Sequence, residues 1–151
     1  MFYHAPGAFN EKDYEFNKKA KHALVSKGAA HGTIVYCEEK PVGWCQFGSR
    51  EELPGIERKA LYRPVVEDSW RVTCLFVDRS HRGMGVGRTA IKGAVASMKR
   101  RGVRTIEAYP VEGKLSASLL WSGTPELFEE AGFNRVGPLG KSSWIYSLKL
   151  R

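Results

Sequence analysis

Trp70-Arg71-Val72-Thr73-Cys74-Leu75-Phe76-Val77 leads through Asp78-Arg79-Ser80-His81 into Arg82-Gly83-Met84-Gly85-Val86-Gly87-Arg88, and this stretch decides the fold. Its first segment is apolar and β-branched enough for a strand largely buried on both faces. Asp78 to His81 breaks that strand. Val86, Ala90, Ile91, Ala94, Val95 and Met98 then recur at helical spacing, so a helix with one apolar face begins inside the glycines. Gly102 ends the helix, and Val103 to Tyr109 reads as the next strand. The unit is strand, glycine turn, helix, strand.

Glycine has no Cβ, so the backbone of such a turn can approach a ligand and its N–H groups can converge. A helix starting there adds unpaired N–H groups and the positive end of its dipole. The turn therefore suits a phosphate or pyrophosphate, with Arg82, Arg88 and Lys92 adding charge. The competing reading is a tight turn that only packs a helix onto a sheet. A P-loop is excluded, because no Lys-Ser or Lys-Thr follows the glycines. The dinucleotide fingerprint is G-x-G-x-x-G, whereas this turn is G-x-G-x-G. Glu107 does stand about where that fingerprint expects an acidic ribose ligand. A doubly wound fold, however, needs several strand–helix–strand units, and one is visible.

The stretch resembles motif A of the GNAT superfamily of N-acetyltransferases. That signature runs Arg or Gln, two residues, Gly, one residue, then Gly or Ala; here it is Arg82-x-x-Gly85-x-Gly87, after a strand ending Leu75-Phe76-Val77. The resemblance continues in Leu127-Phe128-Glu129-Glu130-Ala131-Gly132-Phe133, like the family's short helix followed by Gly-Phe, and spans about Thr33 to Leu150. It implies an α/β (α+β) fold, a mixed and mostly antiparallel sheet flanked by helices. It implies acetyl-CoA as co-substrate. Leu75, Phe76 and Val77 would bond the pantetheine arm, and Arg82, Gly83, Met84, Gly85, Val86, Gly87 and Arg88 the pyrophosphate. The implied reaction moves the acetyl group to a primary amine on a small molecule, a protein terminus or a lysine. The alternative is a non-catalytic CoA-binding or basic nucleic-acid-binding module.

With 151 residues the chain is expected to form one domain, residues 1–151, with a sizeable core. No apolar run approaches membrane-spanning length, and Met1 to Gly7 has no signal-peptide pattern. Three cysteines on separate expected strands point to free thiols in a reducing, cytoplasmic setting, although Cys37 and Cys45 flank a hairpin and have the option of meeting. Their spacing with Cys74 matches no zinc pattern, and no metal is expected. The net charge of +8 suits nucleic acid or a polyanionic cofactor. No interleaved aromatic and basic platform favours nucleic acid. Lys99-Arg100-Arg101 closes the glycine-started helix, where it complements the negative helix end.

Asn10 and Asp13 read as a helix cap, with Phe9 and Tyr14 as a staple. A helix from about Glu11 to Ser26 is expected, with Phe16, Ala20 and Leu24 inside. Thr33–Cys37 and Val42–Phe47 form a hairpin around Glu38 to Pro41. Gly48 to Ser69 is a long charged connection, with a short helix from Ile56 to Tyr62. Ser116 to Trp121 reads as helical, and Thr124-Pro125-Glu126 as a helix start. Phe133–Val136 and Ser143–Leu150 form the last hairpin, with Trp144, Tyr146, Leu148 and Leu150 on one face and little but Ile145 on the other. The order is α, β, β, β, α, β, α, β, β. Relative to the family the start is short: the first strand is missing, or Phe2-Tyr3-His4 is its remnant. A homodimer covering that shortened side is expected.

Acetyl transfer to an amine needs a proton acceptor, donors for the developing oxyanion and a proton for the thiolate. The strand before the turn carries no acid; Glu67 and Asp68 just precede it. Glu107 on the next strand is the first choice of base, through a water, against the reading of a surface or salt-bridged carboxylate. Phe128 stands where family members often carry a tyrosine acid, so Tyr109 is the substitute, against the reading of aromatic core packing. Cys74 reads as a small buried hydrophobe, and His81 as a surface residue.

Overall fold

The structure is a computed structural model, and it describes residue 4 and residues 13–56, 67–113 and 121–151. The elements are α1 (Tyr14–Ser26), β1 (His31–Cys37), β2 (Lys40–Gly48), β3 (Trp70–Val77), α2 (Val86–Arg100), β4 (Thr105–Ala108), α3 (Pro125–Glu129), β5 (Asn134–Leu139) and β6 (Ser143–Lys149), with 3-10 turns at Pro54–Ile56 and Arg79–His81. Six strands form one sheet in the order β1-β2-β3-β4-β6-β5. Its neighbours are antiparallel except β3 and β4, which are parallel and joined through α2. The mixed, mostly antiparallel sheet flanked by helices is therefore the observed architecture.

Helix α2 starts where the glycines end. Gly85 is its N-cap with φ +80°, and Gly102, φ +76°, closes it by donating to the Lys99 carbonyl at 3.0 Å. Its apolar face, Val86, Ala90, Ile91, Ala94 and Met98, is buried. That face packs on the sheet against Cys45, Phe47, Val72, Leu75 and Ile106. The approach is very close at two points. A Cβ on Gly93 would stand 2.6 Å from Thr33 Cγ2, and one on Gly43 would collide with Val86 Cγ1 and stand 3.3 Å from the Phe76 carbonyl.

Several expectations shift. Asp13, not Asn10, caps α1: its carboxylate accepts the Phe16 N–H at 2.8 Å, and Tyr14 is the first helical residue. Phe9, Asn10, Phe2 and Tyr3 lie outside the described residues, as do residues 57–62 and 116–120 of the two expected short helices. No residue of α1 is fully buried; its half-buried side is Asn17, Ala20, Lys21 and Leu24, while Phe16 is exposed. A lysine has taken the place expected of an aromatic ring. The last hairpin buries both faces. Trp144, Tyr146 and Leu148 join the main core, and Ile145 packs on a second cluster of Leu53, Ile56, Tyr109 and Leu139. The start of the long connection thus covers the face expected to be bare. Thr124 caps α3 in extended conformation without a hydroxyl-to-amide bond. Cys37, Cys45 and Cys74 are all free.

Gly43→Ala pushes a methyl group into Val86. We expect it to cost about 2 kcal/mol, a fall in Tm of about 4–8 °C for a chain of this size, measured by differential scanning calorimetry. An unchanged Tm would show that α2 can slide off the sheet freely.

Candidate active site

Strands β3 and β4 share two register pairs, Trp70↔Ile106 and Arg71↔Glu107. Among the described residues they pair no further, yet β3 runs on to Val77. Antiparallel β2 holds the other edge of β3 as far as Val77, opposite Gly43. Among the described residues, the edge of β3 that faces β4 is therefore a row of main-chain donors and acceptors without a strand partner, about 20 Å long at ~3.3 Å per residue. Such an edge binds extended, amide-bearing chains.

A cavity of about 460 Å³ opens where β3 gives way to α2. Of the ten residues expected to hold the cofactor, nine line it: three on the strand (Leu75, Phe76 and Val77) and six in the turn (Arg82, Gly83, Gly85, Val86, Gly87 and Arg88). Met84 does not, and its side chain is 70% exposed. The turn is a concave nest of N–H groups. Gly83 and Gly85 both have left-handed backbone, φ +79° and +80°, which L side chains adopt at a cost. A Cβ on either would meet nothing within 4 Å, so the space above them is open. The first helical bond is Thr89 N–H to the Gly85 carbonyl at 3.0 Å. The N–H groups of Val86, Gly87 and Arg88 precede it and have no partner within the helix. They lie at the positive end of the dipole, beside this cavity.

Charged side chains frame this opening. Arg82 Nε donates to the Val77 carbonyl at 3.3 Å, which lays the arginine across the end of β3. Arg88 pairs with Glu130, and its guanidinium holds that carboxyl below the usual range. His81 lines the cavity rather than facing plain solvent; its Nδ1 lies 2.9 Å from Ser80 Oγ and 3.2 Å from Asp78 Oδ1. The far wall is Trp121, Gly123, Thr124 and Leu127, which carry no binding motif in the sequence. The one signal for it was the Thr124-Pro125 helix start, which marks a chain reversal but not what it faces.

Of the catalytic candidates, Glu107 and Tyr109 stand at the fork and Glu67 does not. Glu107 is fully buried beside its register partner Arg71, itself fully buried, and accepts the Tyr109 hydroxyl at 2.9 Å. Tyr109 packs its ring in the second core cluster and keeps its hydroxyl for Glu107. Glu67 and Asp68 are exposed in the turn before β3, at the opposite end of that strand from the cavity. Phe128 lies in the core, edge-to-face with Phe133 at 5.2 Å. Cys74 is half-buried, and burial pushes its thiol up. No group of three or more His, Cys, Asp or Glu that would hold a metal occurs among the described residues. No described helix is long and apolar enough to cross a membrane.

The family model for the acetyltransferase (GNAT) family matches residues 2–118. The chain belongs to that family. Its members are acyltransferases that use acetyl-CoA. Solved structures agree in fold. A ribosomal-protein-alanine N-acetyltransferase from Brucella melitensis superposes with a TM-score of 0.62 at 19% identity, over 92% of this chain and 80% of that one. A chain of the NatC complex bound to Gag peptide and CoA gives 0.54 at 16% identity, over 93% and 82%. A spermidine N-acetyltransferase chimera from Vibrio cholerae gives 0.61 at 14% identity, over 91% and 76%. At these identities the likeness is one of fold. No curated protein matches the sequence.

Gly85→Glu places a carboxylate in the open space over the nest. We expect isothermal calorimetry to show CoA binding weakened about tenfold or more, with circular dichroism retained. Undiminished affinity in the folded variant would remove the GNAT turn from the binding site.

Proposed function

We propose that the protein transfers the acetyl group of acetyl-CoA to a primary amine by direct attack, with Glu107 taking the proton through a water. The observation that carries this reading is the junction of two features in one place: the free edge of β3 runs into the glycine nest, and both border the same cavity. The residues present fit the cofactor. Leu75, Phe76 and Val77 would hold the amides of the pantetheine arm. The N–H groups from Gly85 to Arg88 would hold the pyrophosphate, with Arg82 and Arg88 beside it. On this reading the net charge of +8 serves an anionic co-substrate rather than nucleic acid. The bound co-substrate supplies the activated thioester.

The protein's part is to place an amine against the acetyl carbon at the fork and to take its proton. Glu107 is an acceptor held in one orientation by the Tyr109 hydroxyl, and burial keeps bulk water from competing for it. Tyr109 serves here as the group that fixes Glu107, and solvent protonates the departing thiolate. Glu67, in its exposed turn, stands outside this arrangement. The acceptor is a small-molecule or peptide amine; relatives in fold are named for ribosomal-protein alanine and for spermidine. Three free thiols are in keeping with the cytoplasm.

Thiol release from acetyl-CoA, screened over small amines and peptides with free N-termini, tests the reaction. We expect turnover on at least one amine and a loss of about 10²–10⁴-fold in Glu107→Gln. A wild-type protein that releases thiol with no amine overturns the proposal.

The expected homodimer has a surface that suits it. Edge strand β1 exposes Ile34 and Tyr36, 50% and 59% accessible, and α1 also exposes Tyr14 and Phe16. A two-fold contact there would pair the edge and cover the rings. Light scattering during size exclusion should give twice the chain mass at micromolar concentration; a monomeric mass throughout rejects the dimer.

A further inference from the structure

On the sheet face away from α2, a file of hydrogen bonds leads to the fork. Lys21, on the inner side of α1, stands over Trp44 with its Nζ 5.3 Å from the ring centre. The Nζ lies 2.7 Å from His4 Nε2 and donates to Gln46 Oε1 at 2.9 Å. His4 Nδ1 lies 2.7 Å from the Glu52 carbonyl. Gln46 Nε2 donates to Thr73 Oγ1 at 3.1 Å, and both residues are almost fully buried.

The direction of every bond in this file follows from its first member. An ammonium has only donors. Burial lowers Lys21 to about 8, so at pH 7 it is still mainly the ammonium. His4 Nε2 must then accept, which puts the ring hydrogen on Nδ1, facing a carbonyl. Gln46 must turn its oxygen to Lys21 and its NH₂ to Thr73. Thr73 must accept, and its own hydrogen is left to donate elsewhere. Among the described residues the Thr73 hydroxyl has no second partner.

Its position says where that hydrogen is useful. Gln46 pairs with Cys74 and Phe47 with Val72, so Thr73 is the extra residue of a bulge in β3. It lies two residues past Arg71, the last to pair with β4. Val72 is in the core under α2, so Arg71 and Thr73 project from the opposite face. Ile106 is likewise in that core, which puts Glu107 on the same side as Thr73.

We infer that Thr73 is a catalytic residue that donates its hydroxyl hydrogen to the thioester carbonyl oxygen, with Gln46 and Lys21 as positioning residues; this rests on the acetyl-CoA reading above. When the amine nitrogen bonds the acetyl carbon, the carbonyl pair moves onto oxygen, where Thr73 meets the charge. The carbonyl reforms as the carbon–sulfur bond breaks. The thiolate takes a proton from solvent, and the amine's proton leaves through water to Glu107. A preset donor aimed at developing charge is the kind that lowers a barrier most.

Infrared spectra of acetyl-CoA labelled with ¹³C at the carbonyl, bound to the full chain, test this without a known acceptor. The bound carbonyl stretch should lie at lower frequency in wild type than in Thr73→Val, return in Thr73→Ser, and shift part of the way in Lys21→Met. Thiol release should fall about 10²-fold in Thr73→Val, while calorimetry finds CoA, which lacks the acetyl group, bound as in wild type. A carbonyl band in folded Thr73→Val identical to wild type, with CoA affinity intact, overturns the assignment to Thr73 alone. Failure of the wild type to bind CoA or acetyl-CoA overturns the underlying site as well, and the calorimetry separates the two results.

Discussion

The parting of β3 from β4 is the constraint on which the rest depends. Two parallel strands that stayed paired to their ends would leave no free edge and no cavity. The strands part for local reasons. Thr73 is an extra residue that re-aims β3 just after its last pair with β4. Pro110 follows β4 and has no N–H to extend the ladder. Antiparallel neighbours on the outer edges, β2 beside β3 and β6 beside β4, keep both strands in the sheet while the gap opens between them.

An open fork would close or fray if its arms were free to move, and α2 prevents this. The helix lies across β1, β2 and β3, and its approach is set by the absence of side chains at Gly43 and Gly93. Close packing brings the first turn of α2 level with the end of β3. The same contact that anchors the helix therefore sets the distance from the strand edge to the nest of N–H groups. Stability and site geometry share their determinants here, and Val86, which packs on Gly43 and also lines the cavity, belongs to both.

What was legible in the sequence was local. The left-handed turn at Gly83 and Gly85 needs glycine, and the apolar face of α2 repeats at a fixed period, so both can be read along the chain. The element order was legible for the same reason. The wall at Trp121 to Leu127 was not, because it reaches the cavity through a chain return that no local spacing encodes. Lys21 is not legible as a buried residue because lysine is ordinarily at the surface; its half-buried place is stabilised by partners 17 and 25 residues away. Glu67 illustrates the converse. It is near β3 in sequence, but a strand carries the chain away at ~3.3 Å per residue, and the cavity lies at the other end.

Polar side chains gather at the fork for a physical reason. Where a ladder stops inside a protein, main-chain groups lose their partners, and an apolar lining would leave them unsatisfied at a cost of about 1–3 kcal/mol each. Arg71, Thr73, Glu107 and Tyr109 all stand at that point, almost fully buried. On the opposite face of the sheet, the same strands carry Val72, Leu75, Ile106 and Ala108 into the core. A carboxylate buried there is held by hydrogen bonds rather than by water, so its orientation is set before any ligand arrives. The feature that opens the sheet to an extended ligand thus also calls for the polar groups that acyl transfer needs, and one break in strand pairing accounts for both.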